Sequence, residues 1–215
     1  MSNSPLSEAL YRKNIFTPRV LIDVDDVCAQ FRAAYVALAN QYYQESAVNP
    51  KFWSVEDTHS AWDVESAMGL TPAEQAAIWQ QVNTSSFAAQ LEPVTGSVQA
   101  IKRIAKRYEV GFVTKPLKSS PTWTYDRKKW LKKHFGQLGE NVVSTALKGW
   151  VDGDYLIEDR LPMAQQWVEQ RLLRGHPRIT PIGIIYAWPY NELPEVYHNL
   201  VRFSDWESIL DYLGC

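Results

Sequence analysis

Short apolar runs separated by helical patterns constrain this chain more than any other feature of its sequence. Five runs read as strands: residues 20–25, 110–114, 141–145, 155–158 and 182–186. Each is rich in Val, Ile, Leu or aromatic residues, as expected of strands buried on both faces. Between them, residues 97–107 put Val98, Ile101, Ile104 and Ala105 on one helical side. Ser120-Pro121 is read as the opening of a helix, with Pro at the first helical position and Trp123, Trp130 and Leu131 presented inward. Residues 161–174 read as a further helix. Ser204-Asp205-Trp206-Glu207 reads as a capping box for a last helix that buries Trp206, Ile209, Leu210 and Leu213. This alternation predicts an α/β fold, a three-layer, doubly wound (Rossmann-like) parallel sheet.

One stretch breaks the alternation. Residues 31–93 carry no strand pattern; Phe31, Tyr35, Leu38 and Tyr42 fall on one helical face, and Thr71-Pro72-Ala73-Glu74 reads as a capping box. The expected organisation is therefore an α/β core, 1–30 and 94–215, with a small helical cap, 31–93, inserted after the first strand. An insert at that point sits over the carboxyl ends of the strands, where open α/β sheets bind ligands. A 215-residue chain that is 46% hydrophobic is large enough to bury such a core. A net charge of −2 excludes the global basic field that drives non-specific nucleic-acid binding, so no nucleic-acid polymer is expected as partner. It leaves room for a small anionic substrate held by local charge.

Carboxylates gather where strands end. Val20-Leu21-Ile22-Asp23-Val24-Asp25-Asp26-Val27 places three at the end of the first strand, and extended-chain alternation puts Asp23 and Asp25 on one side. Tyr155-Leu156-Ile157-Glu158-Asp159-Arg160 repeats the pattern. Parallel strands bring these ends to one edge, where a hard cation such as Mg²⁺ would relieve the repulsion and take oxygen ligands. Each element has an ordinary structural reading: Asp26 as a cap for the following helix, Glu158-Asp159 as another, Thr114 as a turn residue, Lys148 as a surface lysine. In combination they point to chemistry, because Asp-x-Asp, Thr114, Lys148 and Glu158-Asp159 all fall at one edge of one sheet.

This ordered set resembles the four signature motifs of the haloacid dehalogenase-like phosphatases, and more closely the 5'(3')-deoxyribonucleotidase family. The resemblance runs from about residue 19 to residue 213. It is carried by residues 20–31, Leu91-Glu92-Pro93-Val94-Thr95-Gly96, Thr114-Lys115-Pro116 with residues 125–135, Leu156-Ile157-Glu158-Asp159-Arg160, and Trp206-Glu207-Ser208-Ile209-Leu210. It implies a Mg²⁺-dependent phosphomonoesterase acting on nucleoside monophosphates. Asp23 would attack phosphorus, Asp25 would act as acid and base, and Thr114 and Lys148 would hold the phosphoryl oxygens. Mg²⁺ would be held by the Asp23 carboxylate, the Asp25 backbone carbonyl and Asp159, with Glu158 direct or through water. Four positions depart from the family pattern: Asp26 for Gly, Lys115 for a small hydroxyl residue, Glu158 for the first of two aspartates, and Ala146 for an arginine of the animal enzymes. Lys115 is taken as a substrate contact.

The resemblance also assigns aromatic residues of the insert to the nucleobase. Phe31, Trp62 and Trp79 are the candidates, against the alternative that they fill a helical core. The stretch Arg127-Lys128-Lys129-Trp130-Leu131-Lys132-Lys133-His134 reads as a solvated helix face. Histidines at 59, 134, 176 and 198 show no metal-ligand spacing, and no glycine-rich phosphate loop is present. Two cysteines, Cys28 and Cys215, make no disulfide framework, and neither a secretory signal nor a membrane span is seen, so a cytoplasmic setting is expected. A homodimer is compatible with the reading. The rivals are a phosphatase of another small phosphate ester, a polynucleotide 3'-phosphatase, and a non-catalytic Mg²⁺- or nucleotide-binding module.

Overall fold

The computed structural model describes residues 17–46, 51–84, 86–175, 179–193 and 198–215. Residues 1–16 of the expected core and His176 lie outside that set. Among the described residues the sheet has six strands, all parallel: β1 (Arg19–Ile22), β2 (Glu109–Thr114), β3 (Val142–Ser144), β4 (Tyr155–Glu158), β5 (Ile182–Tyr186) and β6 (Leu200–Phe203). Their order is β3-β2-β1-β4-β5-β6. Chain order runs outward from β1 in both directions, which is the doubly wound arrangement expected from the sequence.

Alternate strand residues face opposite layers. Leu21, Val113, Leu156 and Ile185 pack with Ala164, Trp167 and Val168 of α7 (Leu161–Leu173). Ile22, Phe112, Ile157 and Ile184 pack on the other side. Their partners there come from α5 (Ser97–Ile104), α6 (Trp123–Phe135) and α8 (Trp206–Leu213). Helices therefore cover both faces.

The insert contributes α1 (Phe31–Ser46), a 3-10 turn at Glu56–Thr58, α2 (Val64–Ala67), α3 (Pro72–Thr84) and α4 (Phe87–Gln90). None of these joins the sheet. The capping box of α3 forms as read: Thr71 N donates to Glu74 Oε2 at 2.7 Å, and Glu74 N donates to Thr71 Oγ1 at 3.4 Å. The insert shares one apolar cluster with a face of the sheet, through Tyr35, Val36, Ala39, Ile78 and Val82. The buried stripe of α1 is thus Tyr35, Val36, Ala39 and Tyr43, with Leu38 and Tyr42 only half-buried.

Several local expectations are corrected. The sixth strand, β6, was missed because it is a four-residue edge strand containing Arg202, with three of its residues only partly buried. β1 stops at Ile22 rather than at residue 25, because the chain turns away at the acidic segment and Asp26 adopts a left-handed backbone with φ 54°. Pro121 does not open α6, which begins at Trp123 with Thr122 before it. Asp205 rather than Ser204 caps α8, accepting from Ser208 N at 2.8 Å, while Ser204 Oγ bonds to the Asp205 carboxylate. No helix among the described residues is long and apolar enough to cross a membrane.

Candidate active site

The strand order reverses at β1, so the loops leaving β1, β2 and β4 diverge there and open a crevice at their carboxyl ends. Asp23 follows β1, Thr114 ends β2, and Glu158 ends β4 with Asp159 next. All four are buried. Lys148 comes from a different direction, on a 3-10 turn (Lys148–Trp150) after β3, and it too is buried. Its ammonium nitrogen stands 2.7 Å from Asp23 Oδ1 and 2.7 Å from Glu158 Oε2. One carboxylate oxygen from each of Asp23, Glu158 and Asp159 lies within 4.8 Å of the other two. The geometry is an acidic cluster able to hold a cation.

The electrostatics agree. Burial, then Glu158, raises the Asp23 carboxyl well above its ordinary range, and Lys148 only partly opposes this. Burial likewise raises Glu158, and it raises Asp159 to about 7 with help from Asp23 and Asp26. Burial alone would lower Lys148, but Asp23 and Glu158 outweigh it and hold the ammonium above its usual range. One buried cation therefore serves three crowded carboxylates, and the cluster retains uncompensated negative charge. Thr114 Oγ1 is buried with no hydrogen-bond partner among the described residues, an expensive state for a hydroxyl unless a ligand or water meets it.

Above this floor lies a cavity of about 310 Å³. Asp23, Asp25, Lys148, Glu158 and Asp159 line its base, and Lys115 its side. Phe31, Trp62, Trp79 and Trp123 form much of its apolar wall. Phe31 and Trp79 stack with centroids 6.1 Å apart and 30° between planes. Trp62 is 45% exposed and carries the Arg160 guanidinium 4.2 Å above its ring. Each sequence-derived candidate thus lines one cavity, apart from Thr114, which sits buried at the end of β2.

Asp26, where the resembled family has Gly, occupies the left-handed region that favours glycine. Its carboxylate accepts from Arg32 N at 2.9 Å and so caps the start of α1. The capping reading of Asp26 is correct, and burial lifts its carboxyl to about 7.

Other residues of the site were not legible as such. Arg127 was read as part of a solvated face, yet it is 1% exposed and forms an ion pair with Asp25, while Lys128, Lys129, Lys132 and Lys133 are exposed. The signal was present in the spacing: Trp123, Arg127, Trp130 and Leu131 make one helical stripe. Arg32 was missed too. It donates to the carbonyls of Thr58 (2.5 Å), Ala61 (3.0 Å) and Trp62 (2.6 Å), and it lies 4.7 Å over the Tyr190 ring. Tyr190 in turn donates to Asp159 Oδ2 at 2.8 Å. Glu65 accepts from the Trp79 indole, and burial raises its carboxyl to about 7.

A doubly wound sheet with an acidic crevice at its switch point and a helical insert above it is the fold of the haloacid dehalogenase-like hydrolases. The HAD-hydrolase YfnB from Bacillus subtilis, bound to magnesium, matches with a TM-score of 0.55 at 15% identity, covering 93% of this chain and 99% of that one. The haloacid dehalogenase-like family protein SP0104 from Streptococcus pneumoniae matches with a TM-score of 0.58 at 10% identity, covering 92% and 98%. At such identities the likeness concerns fold alone. Sequence likeness goes further. The family described as "5' nucleotidase, deoxy (Pyrimidine), cytosolic type C protein" matches residues 17–213. The Mus musculus protein named "5'(3')-deoxyribonucleotidase, mitochondrial" is 31% identical over 163 residues, 73% of this chain and 71% of the relative. Its Homo sapiens namesake is 32% identical over 148 residues, 66% of this chain and 62% of the relative. The chain belongs to this 5' nucleotidase family and is a phosphoric monoester hydrolase.

Proposed function

We propose that this chain hydrolyses nucleoside monophosphates, deoxyribonucleotides foremost, in a Mg²⁺-dependent reaction that passes through an aspartyl-phosphate on Asp23. The observation that carries this reading is the placement of Asp23. Its carboxylate meets Lys148 at 2.7 Å on the floor of a cavity whose walls are aromatic.

The Asp23 carboxylate attacks phosphorus as the bond to the ester oxygen breaks, and Asp25 gives that oxygen its proton. Water then attacks the same phosphorus, Asp25 takes the water proton, and Asp23 is regenerated as phosphate leaves. Lys148 and the Thr114 hydroxyl, which has no partner among the described residues, would hold the phosphoryl oxygens and stabilise charge in the transition state.

The donor set fits Mg²⁺: hard oxygen ligands, crowded and short of positive charge. Asp23, Asp159 and the Asp25 carbonyl would hold the ion, which when bound screens the nucleophile from the anionic ester. Both Glu158 oxygens are already engaged, one by Lys148 and the other by Arg160 N at 3.1 Å. That favours Glu158 as the support of Lys148 over direct ligation.

Residues 31–93 act as the cap in this reading. Phe31, Trp62 and Trp79 receive the base, each stacking contact being worth roughly 1–3 kcal/mol. The cavity is at the small end of ligand sites, which span about 300–1,000 Å³, and suits a mononucleotide rather than a polymer. A cytoplasmic setting stays part of the reading, although both curated relatives are named as mitochondrial; subcellular fractionation decides it. A homodimer is part of the reading as well, to be checked by light scattering.

The test is phosphate release from nucleoside 5'- and 3'-monophosphates and sugar phosphates, each with Mg²⁺ and with EDTA. Mg²⁺-dependent release concentrated on a few nucleotides is expected. Release from sugar phosphates alone would keep the chemistry and discard the substrate; release unaffected by EDTA would discard the metal.

A further inference from the structure

Asp25 is anchored from beneath by a charge that the catalytic scheme above does not use. Its side chain is 30% exposed at the base of the cavity, whereas its partner Arg127 is 1% exposed. The pair spans 102 residues of sequence and joins the β1 loop to α6. Arg127 Cζ also sits 5.0 Å over the ring of Trp123, one helical turn earlier and itself a cavity wall. Two of its three nitrogens, Nε and Nη1, are buried without a partner among the described residues.

Burying a guanidinium is costly unless a counter-charge meets it. Asp25 is the carboxylate that meets this guanidinium. The dependence runs both ways, and it fixes where the carboxylate points. The backbone is fixed as well: Asp25 bridges to Ala29, and Asp26 turns the chain through its left-handed φ. A surface counter-ion would need none of this. Arg127 departs from the lysines around it in burial, in direction and in partner.

We infer that Arg127 is a positioning residue, holding the Asp25 carboxylate in the orientation from which it gives and takes the proton. The inference rests on the phosphatase reading and adds a residue to it. A proton donor must lie within about 2.6–3.2 Å of the atom it serves, and a displacement of about 1 Å can cost on the order of 10²-fold in rate. Arg127 engages Asp25 Oδ1, which leaves the other carboxyl oxygen, Oδ2, to carry the proton in both half-reactions.

The role leaves a signature that a merely structural pair would not. Breaking a P–O bond to an alkoxide needs a proton from Asp25. Breaking one to p-nitrophenolate does not, since that anion leaves unprotonated. The experiment measures single-turnover release of the alcohol or phenol by the full chain with Mg²⁺, comparing wild type, R127M, R127K and D25N. Substrates are the best-cleaved nucleotide of the panel, β-glycerophosphate as a second alkyl ester, and p-nitrophenyl phosphate. Thermal midpoints are recorded for each variant.

R127M is expected to slow alcohol release about 100-fold and phenolate release less than about threefold, following the pattern of D25N in smaller measure. R127K should recover part of the loss. Equal losses on both ester types, or no loss on either, would overturn the inference. Should R127M fail to fold, R127K decides by the same comparison, as it keeps the charge and loses the fork. A wild type that cleaves β-glycerophosphate but no nucleotide would defeat the substrate reading alone, and Arg127 is then judged on the glycerol ester. A wild type that cleaves none of the three would overturn both.

Discussion

The floor and the wall of the cavity are built on different principles. On the floor, Asp23, Thr114 and Glu158 stand at the ends of three adjacent strands, so the sheet itself sets their spacing. In the wall, Phe31, Trp62 and Trp79 come from separate pieces of the insert and are placed by packing and by side-chain hydrogen bonds. Groups that must meet a phosphoryl unit within tenths of an ångström sit on rigid elements. Groups that need only offer a flat apolar face come from two helices and a loop of the insert. Changes on the floor should therefore act on the chemical step, and changes in the wall on binding.

The largest effect should come from Asp23→Asn, which removes the nucleophile. Turnover is expected to fall by about 10⁴-fold or more, with the fold retained by circular dichroism. Next is Lys148→Met, which strands Asp23 and Glu158 in a buried site. Losing one partner of a buried pair costs about 3–5 kcal/mol, read by urea unfolding without metal. Wall changes come third: Trp79→Ala should lower kcat/KM for nucleotides about 10- to 100-fold, mostly through KM. The same variant should leave p-nitrophenyl phosphate hydrolysis nearly unchanged; a loss on both substrates would erase the contrast between floor and wall.

The floor should also respond to pH. Asp23, Glu158 and Asp159 are carboxyls raised on folding, Asp159 to about 7. At these three groups the folded protein keeps protons that the unfolded chain releases, so their contribution to stability is greatest at low pH and is lost as pH rises from about 4 to about 7. Metal-free protein should therefore show a falling thermal midpoint across that window, and added Mg²⁺ should flatten the fall. The smallest effect is at Asp26. Asp26→Asn keeps a capping oxygen and tolerates the left-handed backbone while removing a buried acid. It should stabilise the metal-free protein by about 1 kcal/mol or less at pH 8, and less still at pH 5, where Asp26 is protonated in the fold.

The same contrast explains what the sequence disclosed. Apolar runs ending in Asp or Glu announce a strand and the sheet edge it leads to, so most of the sheet and the floor were legible together, although the acidic turn concealed that β1 stops at Ile22. Lys148 was legible only in combination with the other motifs at the same sheet edge, because nothing local distinguishes it from a surface lysine. Arg127 was hidden by its four basic neighbours, although the helical spacing from Trp123 through Trp130 marked it as inward. Arg32 and Tyr190 meet across 158 positions of sequence, and neither carries a local signal. β6 escaped notice because an edge strand needs little apolar content to be held on one side.

The central claim is that Asp23 carries the phosphoryl group, and chemical trapping tests it most directly. Enzyme mixed with substrate and Mg²⁺, acid-quenched within a turnover and reduced with borohydride, converts an aspartyl-phosphate to homoserine, which peptide mass spectrometry locates. Homoserine at position 23, dependent on substrate and absent from D23N, is the predicted result. Brisk turnover with no homoserine, or homoserine at another position, would contradict the account.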